Sequence, residues 1–120
     1  MHDATPAHAE HLVLFVTVPN EETATRIAHA LVTEHLAACV NRLPGVTSTY
    51  FWEGAVCVDQ ELLLVIKTRR ALFDAVRERV RALHPYSVPE VIALPVVLGH
   101  TPYLDWIDAS TRAAAGAHEG

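Results

Sequence analysis

The sequence contains only two cysteines, Cys39 and Cys57, among its 120 residues, which is too few for a scaffold held by disulfide bonds. It has no apolar run close to the ~20 residues of a membrane span. The polar opening segment, Met1 to Glu10, does not have the pattern of a secretory signal. We therefore predict a cytoplasmic protein that makes no use of a membrane.

Basic residues are also scarce. Nine Lys and Arg stand against 14 Asp and Glu, for a net charge of −5, which is the wrong sign for a protein that neutralises phosphate backbones. We therefore expect no nucleic-acid partner. Several of the basic residues fall between Lys67 and Arg81, where they form either an anion-attracting face or a solvated helix face.

Enzyme signatures are missing as well. The sequence has no nucleophile elbow, no glycine loop that would cradle a phosphate and no zinc-protease helix. An acid and base pair made of His84 and Glu90 is the only catalytic arrangement the sequence suggests. We predict a protein that is not an enzyme.

The spacing of apolar residues predicts a mixed α+β chain. Helical periods predict a helix capped by Asn20 that runs to about His35, a second over residues 72–83 and a short third from Tyr103 to about Ser110. β-Branched and apolar runs predict four strands, at His11 to Val18, Cys39 to Trp52, Ala55 to Arg69 and Val91 to Leu98. This order is that of a ferredoxin-like βαββαβ sandwich with a short C-terminal helix.

Strands two and three form one long hairpin if Glu53-Gly54 is a two-residue turn. That turn places Cys57 opposite Tyr50 and Cys39 opposite Thr68. The two sulfur atoms are then far apart, so a disulfide bond within the chain is not expected.

The composition also bears on assembly. Hydrophobic residues make up 51% of the chain, and the run Leu62 to Ile66 points side chains to both faces of the sheet. Both main helices are expected on one face, which leaves the other for a second subunit. We expect the folded domain to span residues 11–111, between flexible tails at 1–10 and 112–120.

Six segments carry a family resemblance. In order, they read PNEE, LAACVN, PGVTSTYFWEG, LLLVIKT, HPYSVPE and YLDWI. With these segments, from about Leu12 to Thr111, the chain resembles the CutA divalent-cation tolerance family. The resemblance implies a homotrimer in the bacterial cytoplasm and a link to metal tolerance. Copper binding is reported for family members, which makes copper or another divalent metal the expected ligand, with no obligatory cofactor.

Two residues are the candidate metal ligands. Cys39 stands at the cysteine of LAACVN, and a thiolate with an imidazole suits copper or zinc. His84 belongs to HPYSVPE, although it also suits the end of a helix. The family's copper proposals draw on a further cysteine in the first strand, where this chain has Val16, Thr17 and Val18. The ligand set is therefore incomplete.

A second group of residues matches the family's polar and aromatic positions. We predict that this group forms a ligand-binding or inter-subunit site. Its members are Trp52, Glu53, Glu61, Lys67, Tyr86 and Glu90. The architecture also looks like that of the PII signalling proteins, trimers that bind small ligands between subunits. A regulatory protein that binds a small anionic ligand is therefore the alternative function.

Overall fold

The structure is a computed structural model that describes residues 9–119, with side chains described as far as Arg112. A 3-10 turn, Arg70–Leu72, joins the third strand to the second helix. The three helices are α1 (Glu21–Thr33), α2 (Phe73–Leu83) and α3 (Thr101–Glu119). The four strands are β1 (His11–Val18), β2 (Cys39–Trp52), β3 (Ala55–Arg69) and β4 (Ile92–Pro95).

The strands form one antiparallel sheet in the order β2-β3-β1-β4. Each crossover helix therefore connects strands that have another strand between them. This confirms the predicted α+β class and the βαββαβ order. None of the helices within residues 9–119 has the length and hydropathy that crossing a bilayer requires.

The hydrophobic core lies between the sheet and helices α1 and α2. Alternate residues of β1 are buried, as expected for a strand with one face in the core. Val76 and Val80 on α2 are fully buried, as their helical spacing predicts, and Leu72, Phe73 and Leu83 pack at the edge. The largest fully buried side chains of this layer are Leu14, Val16, Ile27, Leu31, Leu64 and Ile66.

Helix α1 begins as predicted and ends two residues early. The side chain of Asn20 accepts a hydrogen bond from the Thr23 amide at 2.8 Å, which caps the first turn. The helix ends at Thr33, because His35 adopts a left-handed conformation with φ of 60°. The chain then turns into β2.

The hairpin of β2 and β3 has a bulge at Pro44-Gly45. Cys57 lies opposite Tyr50, as predicted. Beyond the bulge the register shifts by one residue, so Cys39 lies opposite Lys67. The prediction that Cys39 lies opposite Thr68 is therefore wrong. Gly45 takes a positive φ of 83°, and the extra residue there is the cause of the shift. The two thiols are free.

The C-terminal boundaries differ from the prediction. β4 is four residues long and not eight, because it begins at Ile92 and its partner β1 begins at His11, whose carbonyl accepts the last bond, from the Val96 amide at 3.0 Å. α3 begins at Thr101 and continues to Glu119, well past Ser110, through an alanine-rich stretch that favours a helix. Residues 112–119 are thus helical. The expected flexibility of residues 112–120 stays a prediction. Of the predicted N-terminal tail, residues 1–8 lie outside the described residues.

Helix α3 packs on the sheet face opposite the core. His11 Nε2 lies 2.8 Å from Asp108 Oδ1, and Arg69 Nε donates to Thr111 Oγ1 at 2.8 Å. Both β-strand residues point away from the face that α1 and α2 cover. Beyond α3 this second face exposes large apolar side chains, among them Leu43, Ile92 and Leu94.

Candidate functional site

One pocket lies where β1, the β2–β3 hairpin and the loop between α2 and β4 meet. Its volume is about 580 Å³, within the range of small-molecule sites. Four of the predicted site residues, Trp52, Glu61, Tyr86 and Glu90, line it together. The other lining residues are Thr17, Ser48, Thr49, Tyr50, Ser87 and Val88.

Glu61 is the most deeply buried charged group of the pocket, with 7% of its surface exposed. It precedes Leu62, which pairs with Val18 at the end of β1. Its Oε2 accepts a hydrogen bond from Tyr86 Oη at 2.9 Å. Burial and this bond to a carboxylate raise the pKa of Tyr86 to about 12. The phenol therefore stays protonated and holds the loop against β3.

Glu90 lies at the exposed rim of the pocket. Partial burial raises the pKa of Glu90, and the negative charge of Glu61 raises it further, while a hydrogen bond from Thr17 lowers it. The two carboxylates therefore repel each other across the pocket. Because none of the lining residues is Lys, Arg or His, the pocket has an acidic character that a bound cation would neutralise.

His84 lies behind the pocket and not in its wall. Its Nε2 lies 2.8 Å from the carbonyl oxygen of Thr17, and its Nδ1 accepts from the Tyr86 amide at 3.1 Å. This pairing places the proton on Nε2, because an amide N–H can only donate. The residue is 7% exposed, and its ring contacts the Tyr86 ring at a tilt of 50°, with ring centroids 4.6 Å apart. Both ring nitrogens are already in use, so a metal would have to displace a hydrogen bond.

Cys39 is distant from His84. It opens β2 opposite Lys67, whereas Thr17, the partner of His84, pairs with Leu63. Four residues of strand, roughly 13 Å, separate Lys67 from Leu63. Over the part of the chain that the structure describes, no group of three or more His, Cys, Asp and Glu side chains is placed to hold a metal ion.

Lys67 and Glu53 also lie outside the pocket. Lys67 shares a strand face with Glu61, as the spacing predicts, but its Nζ donates to Asn41 Oδ1. Glu53 and Gly54 form the hairpin turn with φ of 49° and 84°. The Glu53 side chain is exposed at the tip. Neither residue contributes to the wall of the pocket.

The basic cluster after Lys67 forms a solvated helix face. Arg79 makes a two-pronged ion pair with Glu34 on α1, with contacts from 2.9 Å. Arg77 and Arg81 both contact Glu78 on α2. These side chains are partly or well exposed, and none lines the pocket. The solvated-face interpretation therefore holds for these three arginines.

Sequence reasoning missed several of the pocket residues. Ser48 and Tyr50 alternate with Trp52 along β2, and that alternation is a signal that could have found them. Tyr50 Oη donates to Asp59 on β3, which raises the pKa of Tyr50 to about 12. No local signal points to Thr17, because only the pairing of β1 with β3 brings it to the pocket.

The fold and the pocket together define a ferredoxin-like α+β domain with an acidic, aromatic-walled cavity. A family model described as CutA1 divalent ion tolerance protein matches residues 12–110. The chain belongs to this family.

Known relatives agree with this assignment. The divalent-cation tolerance protein CutA of Thermus thermophilus is 57% identical over 99 residues, which cover 82% of this chain and 96% of that protein. Protein CutA 1, chloroplastic, of rice is 51% identical over 92% of this chain, which spans only 62% of the rice protein. The crystal structure of CutA1 from rice superposes with a TM-score of 0.84 at 53% identity and covers 87% of this chain and 95% of that one.

Proposed function

We propose that this protein acts in divalent-cation tolerance as a homotrimer that binds a metal ion, copper or another divalent cation, and catalyses no reaction. The observation that carries the proposal is the acidic pocket, where Glu61 and Glu90 repel each other and no basic side chain lines the wall. Bound positive charge relieves that repulsion. Membership of a family described by divalent-ion tolerance supports the same conclusion.

The donor atoms bear on which metal is bound. Carboxylate, phenol and hydroxyl oxygens suit hard divalent cations, whereas Cu(I) prefers thiolate and imidazole. Cys39 offers a free, half-buried thiol, but His84 lies elsewhere with both nitrogens engaged. We therefore favour the pocket over the Cys39 and His84 pair, and a divalent ion over Cu(I).

Titration calorimetry with Cu(II), Mn(II) and, under reducing conditions, Cu(I) tests this assignment. We expect Glu61→Gln and Glu90→Gln to weaken divalent-ion binding by about tenfold or more, since each removes a charge. Cys39→Ala should have little effect. Glu22→Gln, an exposed helix residue paired with Arg26, is the matched control. The assignment is wrong if Cys39→Ala abolishes binding and both glutamine variants bind normally.

Exposed apolar surface supports the trimer. The second sheet face is only partly covered by α3, and the hairpin carries Phe51, Val56 and Val58 with 71%, 68% and 59% of their surfaces exposed. Apolar patches of this kind mark protein interfaces. Light scattering during gel filtration should give three times the chain mass of 13.2 kDa. A monomer at micromolar concentration would contradict the assembly.

A PII-like regulatory protein is the second candidate, because the pocket volume of about 580 Å³ exceeds what a bare ion needs. Low cysteine content and negative charge still favour a cytoplasmic protein without nucleic-acid or membrane partners for either candidate.

The anionic ligand predicted for a PII-like protein loses support, since Lys67 and the arginines lie outside the wall of the pocket. A thermal-shift screen of metabolites tests this candidate, because a ligand of the native state raises the melting temperature.

A further inference from the structure

The pocket has room for an occupant larger than a bare metal ion. A water-sized occupant needs about 30 Å³, whereas this cavity has about 580 Å³. We propose that the pocket binds a small organic ammonium ion, a primary amine or diamine, whose charge meets Glu61 and Glu90 and whose carbon chain lies among the aromatic side chains. The proposal rests on the second candidate function, a small-molecule site.

Glu61 supplies the first argument, because its carboxylate has a free oxygen. Among the described residues, its only side-chain hydrogen bond joins Oε2 to Tyr86. No fully buried side-chain oxygen or nitrogen in the described part of the chain lacks a partner. Oε1, which has none, therefore keeps some accessible surface, and Glu61 lines the pocket. A residue 93% buried thus leaves one carboxylate oxygen unpaired and accessible at the pocket.

An ammonium group matches this oxygen in charge and in hydrogen bonding. It has three N–H donors and no acceptor, so one end of an amine can contact Glu61 and the free donors can reach Glu90 or a wall hydroxyl such as Thr17. No basic side chain of the wall competes for the carboxylates. Lys67 is engaged with Asn41, and Arg79 with Glu34.

The aromatic wall supplies an independent argument for an organic cation. Tyr50, Trp52 and Tyr86 line the same cavity and are 41%, 50% and 37% exposed. Aromatic faces attract ammonium ions and also contact alkyl chains. Carboxylates beside three aromatic rings therefore suit a cation that carries carbon.

Titration calorimetry with three ligands of equal chain length tests the proposal. The ligands are 1,4-diaminobutane, the neutral butane-1,4-diol and the dianion succinate. We expect the diamine to bind, the diol to bind at least about tenfold more weakly and succinate not to bind, because the three share a four-carbon chain but only the diamine carries positive charge to meet the carboxylates. Ethanolamine and 1,6-diaminohexane extend the series to shorter and longer amines.

Variants assign the binding to the pocket. Glu61→Gln and Glu90→Gln should each weaken diamine binding by about tenfold, while Glu22→Gln on α1 should leave it unchanged. Trp52→Ala should weaken the longer amines more than ethanolamine. Circular dichroism checks that each variant is folded. If Glu61→Gln unfolds, Glu90→Gln and Trp52→Ala test whether the pocket binds the diamine. Both residues are exposed, so these variants should remain folded.

The outcomes separate this proposal from the metal assignment. Equal affinity for diol and diamine, unchanged binding in the Glu90 and Trp52 variants, or no binding of any amine would each overturn it. Metal binding that depends on Glu61 together with no amine binding would leave the metal proposal standing. Amine binding that depends on Glu61 without metal binding would support the ammonium site and refute the metal site.

Discussion

His84 offers the sharpest test of how the pocket is built, because its imidazole ties β1 to the loop that carries Tyr86. His84→Ala removes the bond to the Thr17 carbonyl and the bond from the Tyr86 amide. Each is worth about 1 kcal/mol, and truncating a buried ring adds roughly 1 to 2 kcal/mol. We therefore expect the free energy of unfolding to fall by about 3 to 4 kcal/mol.

Two amide variants separate the two hydrogen bonds. The side-chain oxygen of His84→Asn can replace Nδ1 as the acceptor for the Tyr86 amide, and the side-chain nitrogen of His84→Gln can replace Nε2 as the donor to Thr17. Each should restore about 1 kcal/mol relative to His84→Ala. His29→Ala, an exposed change on α1, should alter stability by less than about 0.5 kcal/mol.

Urea unfolding at one fixed protein concentration measures these differences, since association also contributes to apparent stability. Nitrogen NMR of the imidazole should place the proton on Nε2. A loss below about 1 kcal/mol for His84→Ala, or a proton on Nδ1, would refute the structural role given to His84. Selective loss of the His84 nitrogen signals through paramagnetic broadening by Cu(II) in the intact protein would restore His84 as a metal ligand.

Three further changes have defined outcomes. Tyr50 and Tyr86 should ionise at a pKa of about 12, so Tyr50→Phe and Tyr86→Phe should each remove part of the late component of absorbance at alkaline pH. Because their folded-state pKa is raised, the contribution of these two tyrosines to stability should be constant below about pH 10 and decline between pH 10 and 12. Glu53→Asn should stabilise the hairpin by about 0.5 to 1 kcal/mol in thermal unfolding, since asparagine tolerates positive φ better than glutamate; a destabilised variant would show that the glutamate side chain has another role. Glu90→Gln should stabilise the protein at neutral pH by less than about 1 kcal/mol, because the exposed carboxylate of Glu90 has a raised pKa and its charged form is disfavoured in the folded state. This gain in stability should vanish at pH values below the ordinary pKa of a glutamate, and a gain independent of pH would contradict this cause.

Much of the secondary structure could be predicted from local patterns. The bounds of β1, β2 and β3 follow from β-branched and apolar runs that end at Pro19, at the turn of Glu53-Gly54 and at the start of a helical period. The cap at Asn20 is likewise a local signal. The end of β4 was less predictable, because it depends on pairing with β1. The length of α3 was less predictable, because alanine propensity extends the helix beyond the apolar pattern.

The pocket was predictable only in part. Trp52, Glu61, Tyr86 and Glu90 were singled out as one group, and they do share a cavity. Glu53 and Lys67 were grouped with them, but the backbone turns Glu53 outward and Asn41 holds Lys67. A resemblance marks positions, whereas the direction of each side chain depends on register and turn geometry.

By itself, the sequence determined the α+β class, the strand and helix order, the buried stripe of α2 and the family, since all of these are written in local periods and motifs. Only the tertiary structure decided that the bulge at Pro44-Gly45 moves Cys39 from opposite Thr68 to opposite Lys67. It alone decided that both nitrogens of His84 are engaged and that the pocket is acidic. Those facts depend on contacts between residues distant in sequence, which no local pattern encodes.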